Sequence, residues 1–139
     1  MRIVYENKPP TSINDLRELL EENGWDEYKR VYKVYDALQV SSHIIIAKDI
    51  DNNNKLVAMV RSMDDGKWSA NIDCVLVHPD YQKQGIGTKI LKILLEQLKD
   101  IEYINLSPND MKVKPFYEKL GFMQVHTGGL MQIVNDIER

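Results

Sequence analysis

A glycine-bearing turn between an apolar strand and an amphipathic helix constrains this chain more than any other segment. The run Gln82-Lys83-Gln84-Gly85-Ile86-Gly87 follows Ile72-Asp73-Cys74-Val75-Leu76-Val77, with His78-Pro79-Asp80-Tyr81 breaking the strand between them. Beyond the turn, Ile86, Ile90, Leu91, Leu94, Leu95 and Leu98 recur at helical spacing. A turn that opens a helix leaves several backbone N–H groups without internal partners, all pointing one way. Those donors and the positive end of the helix dipole together make such an end a site for phosphate. Gly85 and Gly87 remove side chains where a pyrophosphate would otherwise meet a Cβ. The turn suits a nucleotide-like anion.

Spacing narrows the choice of anion. A dinucleotide fingerprint needs a third glycine where Ile90 stands. A P-loop needs a Gly-Lys-Ser/Thr ending, which does not occur in this segment. What remains is Q-x-x-G-x-G after a strand, and that segment resembles the acetyl-CoA signature of the GNAT acetyltransferase superfamily.

The rest of the chain reads as alternating short elements. Arg2 to Glu6 is expected to be a strand, and Thr11 or Ser12 caps a helix with Ile13, Leu16, Leu19 and Leu20 inward. Gly24 ends it, and a second helical pattern places Tyr28, Val31, Tyr32, Tyr35 and Leu38 on one side. Residues 43–48 and 55–61 read as strands around the polar turn Asp49 to Asn54, and Asp64-Asp65-Gly66-Lys67 turns the chain into a strand from Trp68 to Val77. A helix over 85–99, a strand near Ile101 to Leu106 and a short helix through Phe116 to Leu120 follow. Gly121 stops that helix as a left-handed cap, and strands over Phe122 to Thr127 and Leu130 to Ile137 close the chain around Gly128-Gly129.

This order is that of the GNAT fold, and two anchors carry the resemblance. One is V-x-P-x-Y-Q-x-x-G-x-G from Val77 to Gly87; the other is F-Y-x-K-x-G-F from Phe116 to Phe122, one helix and one strand later. The resemblance implies an α+β architecture whose central, mostly antiparallel sheet splays in the middle and is flanked by about four helices. With 139 residues, 43% of them hydrophobic, and no linker or repeat, one domain over 1–139 is expected. The start is too poor in apolar residues for a signal peptide, and no stretch approaches a membrane span. A single cysteine, Cys74, excludes an internal disulfide framework and fits a reducing cytoplasm. A formal net charge of -3 argues against nucleic acid as the principal partner.

The resemblance also implies how a site would work. The strand ending at Val77 and the one near Tyr103 to Leu106 should diverge, with the pantetheine arm of acetyl-CoA lying in the opening. The cofactor-binding set is then Leu76, Val77, Gln82, Lys83, Gln84, Gly85, Gly87 and Thr88. Leu76 and Val77 would offer main-chain hydrogen bonds to the arm, and Gln84 to Thr88 would offer N–H groups to the pyrophosphate. Lys83 or Lys89 could add charge there. Tyr117, the tyrosine of F-Y, would serve as general acid toward the leaving sulfur. A lysine-like amine acceptor must first lose a proton, at a cost of roughly 4 to 5 kcal/mol at pH 7. Asp73 is the first candidate for the base, acting through a water. Simple alternation would put Asn71, Asp73, Val75 and Val77 on one face of the strand and Cys74 on the other. Many relatives carry glutamate at the position of Asn71, so the identity of the base stays open. Asn109 and Asp110 lie near a position where an asparagine often contacts the cofactor. Phe116 and Phe122 read as core, and His78 as a strand terminator.

His43, His78 and His126 are scattered, and no metal-ligand spacing occurs, so no metal is expected. Glu21, Glu22, Trp25, Asp26, Tyr28, Tyr32 and the Gly128-Gly129 turn fall where family members recognise the acceptor, and Gly24-Trp25-x-x-Tyr28 resembles an element of small bacterial members and plastid relatives. A carboxylate-rimmed aromatic pocket would suit a cationic amine. The expected activity is transfer of acetyl from acetyl-CoA to a small-molecule primary amine. Protein or peptide amines as acceptors, and a non-catalytic acyl-CoA-binding module, are the alternatives. A homodimer is compatible with the resemblance, because family members often pair through late strands.

Overall fold

Ile44, Ile45, Ile46 and Ala47 are consecutive and all buried. A strand tolerates such a run only when both faces of its sheet are covered. The computed structural model describes residues 1–125 and 129–135 and provides that cover. Seven strands form one sheet: β1 (Ile3–Glu6), β2 (His43–Asp49), β3 (Lys55–Asp64), β4 (Ser69–Val77), β5 (Tyr103–Leu106), β6 (Met123–Gln124) and β7 (Met131–Val134). Their order is β1-β2-β3-β4-β5-β7-β6. Every described pairing is antiparallel except β4 with β5.

Four α-helices pack on this sheet: α1 (Ile13–Glu22), α2 (Val31–Gln39), α3 (Ile86–Gln97) and α4 (Lys114–Lys119). Leu16, Leu19 and Leu20 of α1 and Val31 and Leu38 of α2 meet Ile44, Ile46, Leu56, Met59 and Leu76 on one face. Ile86, Ile90, Leu91 and Leu94 of α3 meet Ile45, Ala47, Val57 and Val60 on the other, together with Tyr117 and Phe122. The Ser12 hydroxyl caps α1 by accepting from the Asp15 N–H, as the sequence predicts. Residues Asp26–Arg30 form a 3-10 turn, so the second helical pattern is shorter than expected. Tyr32 is 67% exposed, and Val34 takes the inward place that periodicity had given it.

Two features position the site. Strands β4 and β5 pair only over Ser69–Asn71 and Tyr103–Asn105, so the sheet opens beyond them. At the far end Gly121 has φ +102, and the Phe122 N–H returns to the Tyr117 carbonyl. That reversal sinks Phe122 into the core with its ring 5.9 Å from the Tyr117 ring. Burying Phe122 contributes about 1.5–3 kcal/mol and braces Tyr117 from behind. His126, Thr127, Gly128 and the end of the last expected strand lie outside the described residues.

Candidate functional site

Strand β4 carries one extra residue at its middle. Between the pairs Arg61↔Asp73 and Met59↔Leu76, Val60 alone on β3 faces both Cys74 and Val75. Cys74 sits at φ +54, a conformation that side chains rarely adopt. The bulge inverts the strand's alternation. Ala70 and Ile72 belong to the α3 side, yet Leu76 is buried on the α1 side, and Val75 and Val77 now pack toward α3. Asn71 and Asp73 therefore do not share a face with Val75 and Val77, contrary to simple alternation. Cys74 lies beside Asp73 rather than opposite it; burial first, and then Asp73, push its thiol up to about 12. At that value it is a protonated wall residue, not a nucleophile.

The main chain after the bulge faces the opening. The His78 N–H donates to the Val57 carbonyl at 2.7 Å. Hydrogen-bonded and non-bonded pairs alternate along an antiparallel ladder, so Leu76 directs its N–H and C=O at β3, while Val77 directs its own outward. Leu76 thus has no free main-chain groups for a pantetheine arm, and its side chain is buried. The Val77 carbonyl accepts from the Gln82 amide at 3.0 Å.

The turn that follows is clamped on two sides. His78 contacts the Glu18 carboxylate through Nε2 at 3.0 Å, and its Nδ1 accepts from the Asp80 N–H at 3.1 Å. Tyr81 donates to Asp49 at 2.7 Å and accepts from Asn52 at 3.1 Å, which ties the turn to the β2–β3 loop. The Tyr81 hydroxyl holds the Asp49 carboxyl below its ordinary range. Lys83 and Gly85 then adopt φ +62 and +84, and the Lys89 N–H closes the first helical bond on the Gly85 carbonyl. No side chain caps α3, so the Ile86, Gly87 and Thr88 N–H groups project ahead of the helix.

The Gly87 and Thr88 groups border a cleft of about 620 Å³ lined by Val75, Val77, Gln82, Lys83, Gly85, Gly87 and Thr88. The Gln84 side chain is not in its wall, and its part is confined to the turn's main chain. Asn23, Tyr81, Lys112, Val113 and Phe116 complete the wall. Sequence reasoning missed Lys112 and placed Phe116 wholly in the core; the lysine precedes the F-Y motif, which was its one available signal. Lys83 and Lys112 form no ion pair with a described residue. Exposed helix-end N–H groups, two free ammonium groups and an apolar side wall fit a diphosphate with an acyl-bearing arm.

A second cavity, about 100 Å³, lies in the splay. Its wall includes Trp25, Ile72, Asp73, Cys74, Val75, Leu106, Asn109 and Tyr117. Val75 borders both cavities, so Asp73 and Tyr117 stand around one pocket next to the cleft. Tyr117 is 7% exposed, and burial pushes its hydroxyl up to about 12. Among the described residues every fully buried polar side-chain atom has a partner, and no hydrogen bond joins the Tyr117 hydroxyl to any of them. That hydroxyl therefore opens onto the pocket. Asp73 is held by Arg61 through both oxygens, at 2.6 and 3.2 Å, and Arg61 also donates to the Ala37 carbonyl at the end of α2. Asn109 borders this pocket and a third one beside Trp25, not the cleft.

The profile of the Acetyltransferase (GNAT) family matches residues 11–122. An uncharacterized N-acetyltransferase, ycf52, of Pyropia yezoensis is 34% identical over 115 residues, which cover 81% of this chain and 66% of the relative. Histone acetyltransferase TAP1 of Glycine max is 30% identical over 132 residues, 87% of this chain and 56% of its own. This chain thus spans about half to two thirds of the curated relatives it matches. A solved GNAT-family acetyltransferase from Streptococcus pneumoniae TIGR4 superposes with a TM-score of 0.73 at 27% identity, covering 88% of each chain. Among the described residues, no helix is long and apolar enough to cross a membrane. The chain belongs to the GNAT family of acetyltransferases.

Proposed function

We propose that this chain is an acetyl-CoA-dependent N-acetyltransferase acting on the primary amine of a small molecule, by direct attack in a ternary complex. The observation that carries the reading is the shared Val75 wall: a cofactor-sized cleft and a separate pocket adjoin, so both reactants can be held at once. Acetyl-CoA supplies an activated acyl group and a thiol leaving group. The N-terminal groups of α3, with Lys83 and Lys112, hold the diphosphate. Val75 and Val77 offer main-chain donors and acceptors along the arm. The acceptor enters the pocket from the side of Trp25.

The chain's residues then manage two protons. The acceptor ammonium first loses a proton to become the nucleophile; as the C–N bond forms and the C–S bond breaks, nitrogen releases a second to solvent and sulfur gains one. Asp73 takes the first through a water: Arg61 occupies one position on each oxygen, and a carboxylate offers about four acceptor sites in all. Tyr117 donates to the sulfur. Full transfer from a hydroxyl near 12 to a thiolate near 8.5 would run uphill by about 5 kcal/mol. A short hydrogen bond with late transfer, replenished from solvent, is therefore its role. We place this activity in the cytoplasm, as a single domain over 1–139.

Protein amines are the second reading, favoured by the likeness to the histone acetyltransferase of Glycine max. Steady-state thiol release with varied acetyl-CoA and varied amine tests the proposal. Intersecting initial-rate lines with a small amine support it; parallel lines refute the ternary complex. Acetylation of protein lysines alone, with no small amine turned over, would favour the second reading. Binding of coenzyme A without thiol release for any acceptor would leave only a non-catalytic module.

A further inference from the structure

The acceptor side of the molecule is built from two cavities in series. The outer one, about 420 Å³, is walled by Gly24, Trp25, Asp26, Glu27 and Asn109. The inner one, about 100 Å³, holds Tyr117 and Asp73. Trp25 and Asn109 wall both cavities, so a molecule passing inward travels between an indole and an amide. Trp25 is held by its main chain, whose N–H donates to the Leu20 carbonyl at 3.0 Å and whose carbonyl accepts from the Tyr28 N–H at 3.2 Å, and its side chain packs against the α1–α2 core. Asn109 faces it from the loop after β5, exposed, with no hydrogen bond from its amide to a described residue.

We infer that Trp25 and Asn109 form a throat that selects the acceptor by width, admitting a primary amine on an unbranched aliphatic arm and rejecting one branched at the carbon bearing nitrogen. This rests on the acetyltransferase reading above. At about 100 Å³ against about 420 Å³, the inner cavity is much the smaller, so it takes the amine end and its first methylenes and leaves the rest outside. Ile72, Val75 and Leu106 offer apolar wall to methylenes, while Asp73, Ser107 and Tyr117 offer polar groups to the nitrogen. A branch next to nitrogen would have to occupy the throat or the wall beside Val75, where the acyl group must also lie. The bulkier remainder of the acceptor stays in the outer cavity, so free alkylamines and lysine side chains share the selected chemistry.

The test compares n-butylamine with sec-butylamine, isomers that differ only in this branch. Wild type should favour n-butylamine by about 10-fold or more in kcat/KM, a typical worth of one misplaced methylene. Asn109→Ala, a surface change, should cut that ratio below about threefold with coenzyme A affinity unchanged. Trp25→Ala should do the same, and Asn109→Ala decides the matter if Trp25→Ala unfolds. A lysine-containing peptide replaces n-butylamine in a parallel arm, and its acetylation in place of the free amine identifies the source of the arm. Independently of turnover, Trp68→Phe leaves Trp25 as the sole tryptophan, and its emission should change as n-butylamine is titrated into the coenzyme A complex. A ratio near one in wild type, or a ratio unmoved in both variants, overturns the throat while the acetyltransferase reading stands. A change at Trp25 with no acetylation of any amine supports the throat and sinks that reading instead. No change at Trp25 overturns the route itself.

Discussion

Gly87→Ala separates what the protein needs from what its ligand needs. A Cβ built at Gly87 would lie 3.5 Å from Val77 Cγ2 and 3.6 Å from Phe116 Cζ, both ordinary van der Waals distances. Nothing in the free protein therefore requires glycine there. Alanine is also the better helix former, by roughly 0.5–1 kcal/mol in a helix interior and less in the first turn where Gly87 sits. The melting temperature should hold or rise by up to about 3 °C. Val77 and Phe116 both line the cleft proposed for the cofactor, so the new methyl would project into it between them. Overpacking a fitted contact costs about 1–3 kcal/mol, which converts to a loss of roughly 5- to 150-fold in coenzyme A affinity. Calorimetric titration of coenzyme A and a thermal melt on the same sample give both numbers. A variant that binds coenzyme A within twofold of wild type would refute the assignment of this helix end to the diphosphate and arm. A variant that melts well below wild type would refute the steric reading of the free protein.

Gly85→Ala should behave in the opposite way: its Cβ would meet nothing within 4 Å, but φ +84 strains an L residue by about 1–2 kcal/mol, so melting temperature and affinity fall together. Tyr117→Phe should lower kcat about 10- to 100-fold and leave the KM for acetyl-CoA within twofold. Because burial holds the Tyr117 hydroxyl near 12, this group stays protonated to pH 10 and should give the wild-type kcat profile no alkaline limb below that; a limb near pH 9 that vanishes in Tyr117→Phe would contradict its placement. Glu18→Gln tests the clamp behind the turn. Lys55 is the main cause of the lowered Glu18 carboxyl, and Glu18 of the raised Lys55 ammonium. The carboxyl's contribution is present above its ordinary value near 4.3 and lost as pH falls through the lower folded value; that of Lys55 is present below about 10.4 and lost as pH rises through its raised value. With Glu18 45% exposed, the pair is worth about 0.5–1 kcal/mol, so the variant should melt about 2–4 °C lower at pH 7. A gap as large at pH 3 as at pH 7 would show that something other than this charge is lost.

The elements were legible wherever burial repeats at a fixed period. Ser12, Leu16, Leu19 and Leu20 announce α1, and Ile86 to Leu94 announce α3, because capping and a helical stripe depend on local sequence alone. The family anchors were legible too, since Gly85 and Gly121 carry positive φ in the turns where the sequence puts them. The face assignments on β4 were not. Alternation is a rule about an uninterrupted strand, and Cys74 in the left-handed region has no sequence mark that a buried small residue lacks. The error passed on to Asp73, whose charge is met by Arg61 from twelve residues upstream. Such pairing follows from the register of β3 against β4, bulge included, which β4 read alone does not give. Tyr32 failed for a narrower reason: Tyr28, Val31, Tyr35 and Leu38 keep the stripe across the 3-10 turn, and Tyr32 lies at its flank, exposed.

One extra residue accounts for most of what makes this sheet a site. Without the bulge, Val75 and Val77 would keep the alternation of Ala70 and Ile72, and their side chains would turn toward α1. With it, the same strand buries Leu76 under α1, aims the Val77 main chain at the opening, and lays Val75 between cleft and pocket. The parallel pairing of β4 with β5 ends at Asn71, just before the bulge, so main chain is released where the strand bends away. An unpaired strand edge inside a sheet is normally a liability, because its polar groups lack partners. Here the Gln82 amide already satisfies the Val77 carbonyl, which marks that edge as one that accepts an amide from outside the ladder. A pantetheine arm, which carries amides of its own, offers the same chemistry in extended form. On the acetyl-CoA reading proposed above, affinity for the acyl donor would rest as much on a missing strand pairing as on the glycines of the turn.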